Sequence, residues 1–79
     1  MDKLRAIQLF TRLADLGSFT RVAEQTNSSK SMISKEISRL EEHLGARLLH
    51  RSTRNVRLTD VGQGYLQRAR EILSKIDDA

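Results

Sequence analysis

The sequence predicts a mainly α-helical domain with four helices and one short β-hairpin. Two observations carry this prediction. Apolar residues recur at helical spacing in four segments, and between the third and fourth segments the pattern changes to the alternation of a strand. The chain has 79 residues, enough for one small domain with a modest core. Its only aromatic residues are Phe10, Phe19 and Tyr65, so we expect an aliphatic core.

The first two helices are predicted from their apolar faces and their boundary residues. Residues 2–16 form one helix whose inward face consists of Leu4, Ile7, Phe10, Leu13 and Ala14. Asp2 suits the positive start of this helix, and Gly17 suits the left-handed residue after its end. Ser18 is a good N-cap for a short second helix, whose inward residues are Phe19, Val22 and Ala23.

A third helix is predicted between Ser29 and Gly45, and its two faces differ. One face is an apolar stripe of Ile33, Ile37, Leu40 and Leu44. The opposite face is small, hydroxyl-rich and cationic, and consists of Ser31, Ser34, Lys35 and Ser38, with Arg39 at its edge. Such a face can enter a DNA major groove and form hydrogen bonds to base edges. Because Glu41 and Glu42 would be repelled by phosphates, we expect the groove-contacting part of this face to be its N-terminal half, from Lys30 to Ser38.

The connection between the second and third helices has the pattern of a helix-turn-helix. Ala23 stands where two helices approach closely, and Asn27 tolerates a left-handed backbone four residues later. Ile33 is then the inward apolar residue of the next helix. A small, a left-handed and an apolar residue at these intervals are typical of a helix-turn-helix, although short helical hairpins also match by chance.

Residues 46–59 predict a β-hairpin, which would form a wing beside the third helix. Leu48 and Leu49 precede a polar turn over residues 52–55, after which residues 56–58 alternate. Arginines at positions 51, 54 and 57 lie on or beside this hairpin, and an arginine near its tip can reach into a minor groove. The alternative interpretation is a surface hairpin that its charge keeps soluble.

Positive charge is concentrated in the third helix and the hairpin. The net charge of the chain is +4, and residues 28–57 alone carry seven basic and three acidic side chains. A local excess of positive charge is typical of a phosphate-binding surface. A solvated basic face of an ordinary globular protein would show the same excess, so charge alone leaves both interpretations open.

The fourth helix is predicted to begin after the N-cap Thr59 and to be longer than the domain core can cover. It has about 20 residues, or about 30 Å. Gly62 and Gly64 weaken its first turns. We expect that close packing against the hairpin or the first helix is the reason for glycine at these positions. Its apolar stripe consists of Val61, Tyr65, Leu66, Ala69, Ile72, Leu73 and Ile76. Because exposure of its last members is unfavourable, the stripe predicts pairing with a second copy, most simply antiparallel.

These features together resemble the N-terminal DNA-binding domain of LysR-type transcriptional regulators, over essentially the whole chain. The stretches that carry the resemblance are residues 10–14, Gly17-Ser18-Phe19-Thr20, Ser34 with Ile37, Leu40-Glu41-Glu42, Leu44-Gly45, Leu48-Leu49, Arg51-Ser52-Thr53-Arg54, and Val56-Arg57-Leu58-Thr59 with Gly62. The order and spacing of these stretches are more specific than any one of them.

The resemblance implies a winged helix-turn-helix over residues 1–58, with three helices and a two-stranded β-wing, and a linker helix for dimerisation over residues 59–79. It implies a bacterial protein that binds double-stranded DNA as a homodimer at promoter inverted repeats. For a full-length parent protein, the resemblance is also compatible with a homotetramer. The implied DNA-contact residues are Ser18, Thr20, Ser29, Lys30, Ser31, Ser34, Lys35, Ser38, Arg39, Arg51, Ser52, Thr53 and Arg54. The implied dimerisation residues are Tyr65, Leu66, Ala69, Ile72, Leu73 and Ile76.

Two departures from the family pattern concern the third helix. Lys30 stands where the family usually has Gln, and lysine favours guanine acceptors or a phosphate rather than adenine. Lys35 stands where Arg is common and lacks the bidentate guanidinium.

The family also has a ligand-sensing effector domain after the linker helix. That domain is absent from these residues, so we expect DNA binding without small-molecule control.

Other classes of function have less support in the sequence. The chain has no cysteine, and His43 and His50 alone cannot complete a structural zinc site, so we expect no metal and no cofactor. No apolar run approaches the ~20 residues of a membrane span, and no signal peptide is evident, so we expect a cytoplasmic, nucleoid-associated protein. An enzyme is disfavoured because no nucleophile accompanies His43. The main alternative is a winged-helix module that binds an acidic protein partner.

Overall fold

The computed structural model describes residues 1–50 and 55–79. It contains four helices: α1 (Lys3–Leu16), α2 (Phe19–Thr26), α3 (Lys30–Leu44) and α4 (Asp60–Asp78). The four predicted helices are therefore confirmed. Each begins directly after a polar N-cap residue whose side chain accepts a hydrogen bond from a backbone N–H of the first turn; these caps are Asp2, Ser18, Ser29 and Thr59.

Left-handed residues end the first three helices, as their sequences predict. Gly17 and Gly45 have φ angles of 67° and 69°, and Asn27 has a φ angle of 54°. The N–H of Ser28 donates to the carbonyl of Ala23 over 2.9 Å, which closes the end of α2. The chain therefore reverses tightly between α2 and α3.

The core lies between α1, α2, α3 and the residues that follow α3. Its largest fully buried side chains are Phe10, Leu13, Val22, Ile33, Ile37, Leu40 and Leu48. The expected inward position of Leu4 is wrong, because this side chain is 41% exposed. Burial in α1 begins only at Ala6, so the first turn of the helix lies outside the core. Thr26 is half-buried, and its hydroxyl donates to the carbonyl of Val22.

Residues 48–50 and 57–59 run antiparallel beside the core. Leu49 and Leu58 form an isolated bridge, and the N–H of His50 donates to the carbonyl of Arg57 over 2.9 Å. Within the described residues this is a single bridge rather than a pair of strands. The predicted two-stranded wing is therefore not confirmed, and most of its predicted turn lies outside the described residues.

The first half of α4 packs against the rest of the domain. The rings of Phe10 and Tyr65 are 5.8 Å apart at their centroids, and burial raises the pKa of the Tyr65 hydroxyl despite the nearby charge of Arg68. Ala69 is fully buried, and Arg70 forms an ion pair with Asp15 of α1 at 2.6 Å. These contacts hold α4 along α1.

The two glycines of α4 have different surroundings. A Cβ at Gly62 would lie 2.1 Å from the carbonyl oxygen of Leu48, whereas a Cβ at Gly64 would meet no described atom within 4 Å. The expected close packing is therefore confirmed for Gly62 and wrong for Gly64. In the part of the chain that the structure describes, no helix is long and apolar enough to cross a membrane.

Candidate nucleic-acid interface

An open groove of about 570 Å³ lies between the start of α2, the start of α3 and the antiparallel segments. Its lining comes from three parts of the chain: Gly17, Ser18, Phe19 and Thr20; Lys30, Ser31 and Ser34; and Leu49, His50, Asn55 and Val56. Five predicted DNA-contact residues therefore meet in one place, namely Ser18, Thr20, Lys30, Ser31 and Ser34. No acidic side chain is among these described lining residues.

Helix capping positions the hydroxyl groups at the two helix starts. The Ser18 hydroxyl accepts from the N–H of Arg21 over 3.2 Å, which holds it at the start of α2. The Ser29 hydroxyl accepts from the N–H of Met32 over 3.1 Å and lies 3.2 Å from the hydroxyl of Ser31. Both helices therefore direct the positive ends of their dipoles toward the groove, where an anion is stabilised.

The outward face of α3 extends beyond the groove. Lys35 is exposed, and Arg39 is exposed with its guanidinium 3.9 Å from the carboxylate of Glu36. Ser38 is half-buried and lines a second depression, which lies at the C-terminal end of α3. The predicted contact residues of α3 therefore form one row that begins in the groove and continues along the helix. The remaining predictions, Arg51, Ser52, Thr53 and Arg54, lie outside the described residues.

Glu41, which was predicted as an acid that phosphates would repel, is buried in the structure. Its side chain is only 5% exposed and accepts hydrogen bonds from the backbone N–H groups of Leu48 and Leu49, at 2.7 and 3.2 Å. Its carboxylate also lies 3.7 Å from the guanidinium of Arg47. A signal was available in the sequence, because Glu41 falls on the same helical row as the core residues Ile33 and Ile37. Glu42 is exposed.

Six described residues that line the groove were not among the predicted contacts, namely Gly17, Phe19, Leu49, His50, Asn55 and Val56. Of these, His50, Asn55 and Val56 belong to the predicted hairpin, in which only residues 51–54 were predicted to contact DNA. His50 is held in place by the backbone hydrogen bond to Arg57. Proximity to a predicted hairpin was the only signal, since nothing in the spacing relates residues 50 and 55 to Ser18.

Comparison with known proteins places this helical arrangement in a family. The family profile described as bacterial regulatory helix-turn-helix protein, lysR family, matches residues 4–63. This chain belongs to the LysR family. An uncharacterized HTH-type transcriptional regulator of Haemophilus influenzae is 48% identical over 79 residues, which cover all of this LysR-family chain and 27% of that relative. The chain spans about a quarter of the length of the curated relatives that it matches.

Two solved structures show the same arrangement beside DNA. The BenM DNA-binding domain, in a complex with catB site 1 DNA, is 35% identical to this LysR-family chain; the match has a TM-score of 0.91 and covers 99% of this chain and 83% of that one. DarR of Vibrio fischeri in complex with DNA is 27% identical, with a TM-score of 0.91, and the match covers 99% of this chain and 27% of DarR. The relatives are transcriptional regulators, which are not enzymes. The described residues contain no cluster of His, Asp or Glu that could hold a metal ion.

Proposed function

We propose that this chain is the DNA-binding part of a bacterial LysR-type transcription regulator, and that it binds double-stranded DNA sequence-specifically as a dimer at promoter inverted repeats. The observation that carries the proposal is the groove. It joins Ser18 and Thr20 to the cationic, hydroxyl-bearing start of α3, and the part of its lining that the structure describes has no acidic residue. The DNA complexes of the structural relatives BenM and DarR support the same proposal.

In the proposed complex the first half of α3 enters the major groove. Lys30 donates to guanine O6 and N7 or to a phosphate, and Ser31 and Ser34 bond to base edges beside it. Ser18 and Thr20 bind a phosphate at the start of α2, as hydroxyls at helix starts commonly do. The contact extends along the sugar-phosphate backbone of the DNA through Ser29, Lys35, Ser38 and Arg39. The specificity therefore comes from α3, and the affinity comes mainly from the phosphates.

The segment after α3 adds a second element to the proposal. We assign residues 1–58 to a winged helix-turn-helix. In this proposal the DNA backbone and minor groove are contacted by residues of the wing, namely Arg51, Ser52, Thr53 and Arg54. The bridge between Leu49 and Leu58 supports a hairpin at this place in the chain. An arginine inserted in a narrow minor groove would be sensitive to DNA shape, so Arg54 would favour A-tracts.

Residues 59–79 are proposed as the dimerisation helix. Tyr65 and Leu66 pack against the core of their own chain, and Ala69 is buried there. The last turns of α4 are the better candidates for contact with a second copy, because Ile72 is 40% exposed, Ile76 is 47% exposed and Leu73 is half-buried. Complete burial of a fully exposed side chain of this size stabilises by about 1.5–3 kcal/mol, so covering the exposed part of each isoleucine with a second copy stabilises by somewhat less than half of that. A cytoplasmic, nucleoid-associated location follows from this function.

A selection from random DNA followed by a salt titration tests the proposal. Duplexes selected by the chain should contain an inverted repeat, and the logarithm of the affinity should fall linearly with the logarithm of the salt concentration, because bound lysines and arginines release counterions. Replacement Lys30→Gln should reduce the magnitude of that slope by about 2 if Lys30 contacts a phosphate, because each copy of the dimer loses one phosphate contact. It should instead change the selected bases if Lys30 contacts a guanine.

The matched control is Lys3→Gln, because Lys3 is an exposed lysine of α1 that does not line the groove. It removes the same charge and should leave both slope and sequence preference unchanged. Absence of duplex binding would contradict the proposal and favour a winged-helix module that binds an acidic protein. Equal effects of the two replacements would contradict the assignment of Lys30.

A further inference from the structure

The backbone of Leu48 connects α3 to α4. Its N–H donates to the Glu41 carboxylate of α3 over 2.7 Å, and its carbonyl accepts from the N–H of Thr59, the N-cap of α4, over 3.0 Å. The same carbonyl oxygen would lie 2.1 Å from a Cβ at Gly62, so the first turn of α4 packs directly on it. We call Glu41, Leu48, Thr59 and Gly62 the Leu48 junction.

Side chains on both sides strengthen the Leu48 junction. Glu41 also accepts from the N–H of Leu49 over 3.2 Å, and the Thr59 hydroxyl donates to the carbonyl of Arg47 over 2.6 Å while it accepts from the N–H of Gly62 over 2.9 Å. Glu41 is 5% exposed and Leu48 is fully buried. Hydrogen bonds to a carboxylate in such surroundings are strong and directional. The junction therefore restrains the angle between α3 and α4.

A small change of this angle would have a large effect at the other end of α4. The helix has 19 residues and is about 28 Å long. A tilt of about 5° at its first turn would move its last turn by roughly 2.5 Å. One base pair shifts a half-site by about 3.4 Å along the DNA axis and by about a tenth of a turn around it. The displacement from the tilt is therefore similar in size to the axial part of this shift.

We propose that Glu41 is a positioning residue that, through the Leu48 junction, sets the half-site spacing that a dimer of this chain accepts. The inference rests on the proposed function, since it requires two copies joined by α4 and one α3 in each half-site. Glu41 does not contact DNA in this scheme. Glu41 belongs to α3, the DNA-binding helix. Its carboxylate bonds the backbone of Leu48, and the same backbone bonds the start of α4, the dimerisation helix.

The contacts between α1 and α4 hold α4 on the domain independently of Glu41. Phe10 with Tyr65 and Asp15 with Arg70 restrain α4 against α1, so α4 stays attached when the junction is weakened. These contacts do not bond α4 directly to α3. Loss of the carboxylate should therefore broaden the range of accepted spacings rather than abolish dimer formation.

The experiment measures affinity for the selected inverted repeat and for versions with one base pair added or removed between the half-sites. The parent should prefer its own spacing by at least about tenfold. Glu41→Leu, which removes the acceptor oxygens, should reduce that preference to less than about threefold. Glu41→Gln keeps an acceptor oxygen and should retain the preference. Thr59→Val weakens the junction from the side of α4 and should act like Glu41→Leu, and Thr59→Ser should retain the preference.

Ile37→Val is the control for loss of stability alone, because Ile37 is a fully buried residue of α3 outside the junction. It should lower the midpoint of unfolding and leave the spacing preference intact. If Glu41→Leu and Thr59→Val weaken binding equally at every spacing, Glu41 has only a structural role and the inference is wrong. If the parent binds duplex DNA but does not discriminate spacing, the inference alone fails. If the parent does not bind duplex DNA, the proposed function fails.

Discussion

Gly62 packs on the backbone carbonyl of Leu48 so closely that a Cβ at residue 62 would lie 2.1 Å from the oxygen. Glycine is needed there for space and not for its backbone angle, because Gly62 lies within the regular helix α4. This explains a residue of low helix propensity in the first turn of a long helix. Gly64, two residues later, has no such neighbour among the described residues, and the two glycines therefore form a natural comparison.

Replacement Gly62→Ala should destabilise the fold, since the methyl group would force the start of α4 away from Leu48. We expect a loss of about 1–3 kcal/mol in the free energy of unfolding, as for other overpacked sites. Gly64→Ala should increase it by about 0.5–1 kcal/mol, because alanine is the better helix former and meets no described atom. Urea denaturation of the two variants checks both values, and two changes of the same sign would refute the packing argument.

Asn27 provides a second test because it holds a left-handed backbone at the end of α2, with a φ angle of 54°. Asn27→Ala should lower the free energy of unfolding by about 1–2 kcal/mol, the cost of that conformation for a residue with an ordinary side chain. Asn27→Gly is the control and should change it by less, since glycine adopts the conformation without strain. Thermal unfolding of both variants is the measurement, and equal losses would show that the Asn27 side chain, rather than the backbone, is what matters.

The exposed apolar end of α4 gives a third prediction. Ile72→Asp should lower the apparent mass in sedimentation from that of a dimer to that of a monomer, because a carboxylate would have to be buried in the contact between copies. Folding of the single chain should be little affected, since Ile72 is 40% exposed. Ser74→Asp adds the same charge at another exposed position of α4 and should remain dimeric. Unchanged mass for Ile72→Asp would remove α4 as the dimerisation helix.

Sequence and structure agree best where the deciding interactions are local. The N-caps Ser18, Ser29 and Thr59 each bond to a backbone N–H three residues later, so a short stretch of sequence contains all the information. Agreement fails where the partner is distant along the chain. The burial of Glu41 was not predicted, because its partners, the backbone N–H groups of Leu48 and Leu49, lie beyond the end of α3. Gly64 was expected in a close contact that only Gly62 makes.

The candidate interface divides in the same way. The serine and lysine face of α3 was evident from helical spacing, because side chains three and four residues apart share a face in any α-helix. The addition of His50, Asn55 and Val56 to the groove was not evident, because it depends on how residues 48–50 and 57–59 lie against the helices. Only the packed domain brings those segments beside Ser18 and Lys30.

The sequence by itself therefore determined four helices, their ends, the helix-turn-helix and the cationic face of α3, since apolar spacing and capping chemistry act within a few residues. The tertiary structure alone decided two other features: why residue 62 must be glycine, and which groups the Glu41 carboxylate bonds. Each of these depends on the free volume or the hydrogen-bond partners that a distant segment supplies. The Leu48 carbonyl and the rings of Phe10 and Tyr65 meet their partners only after the chain has folded.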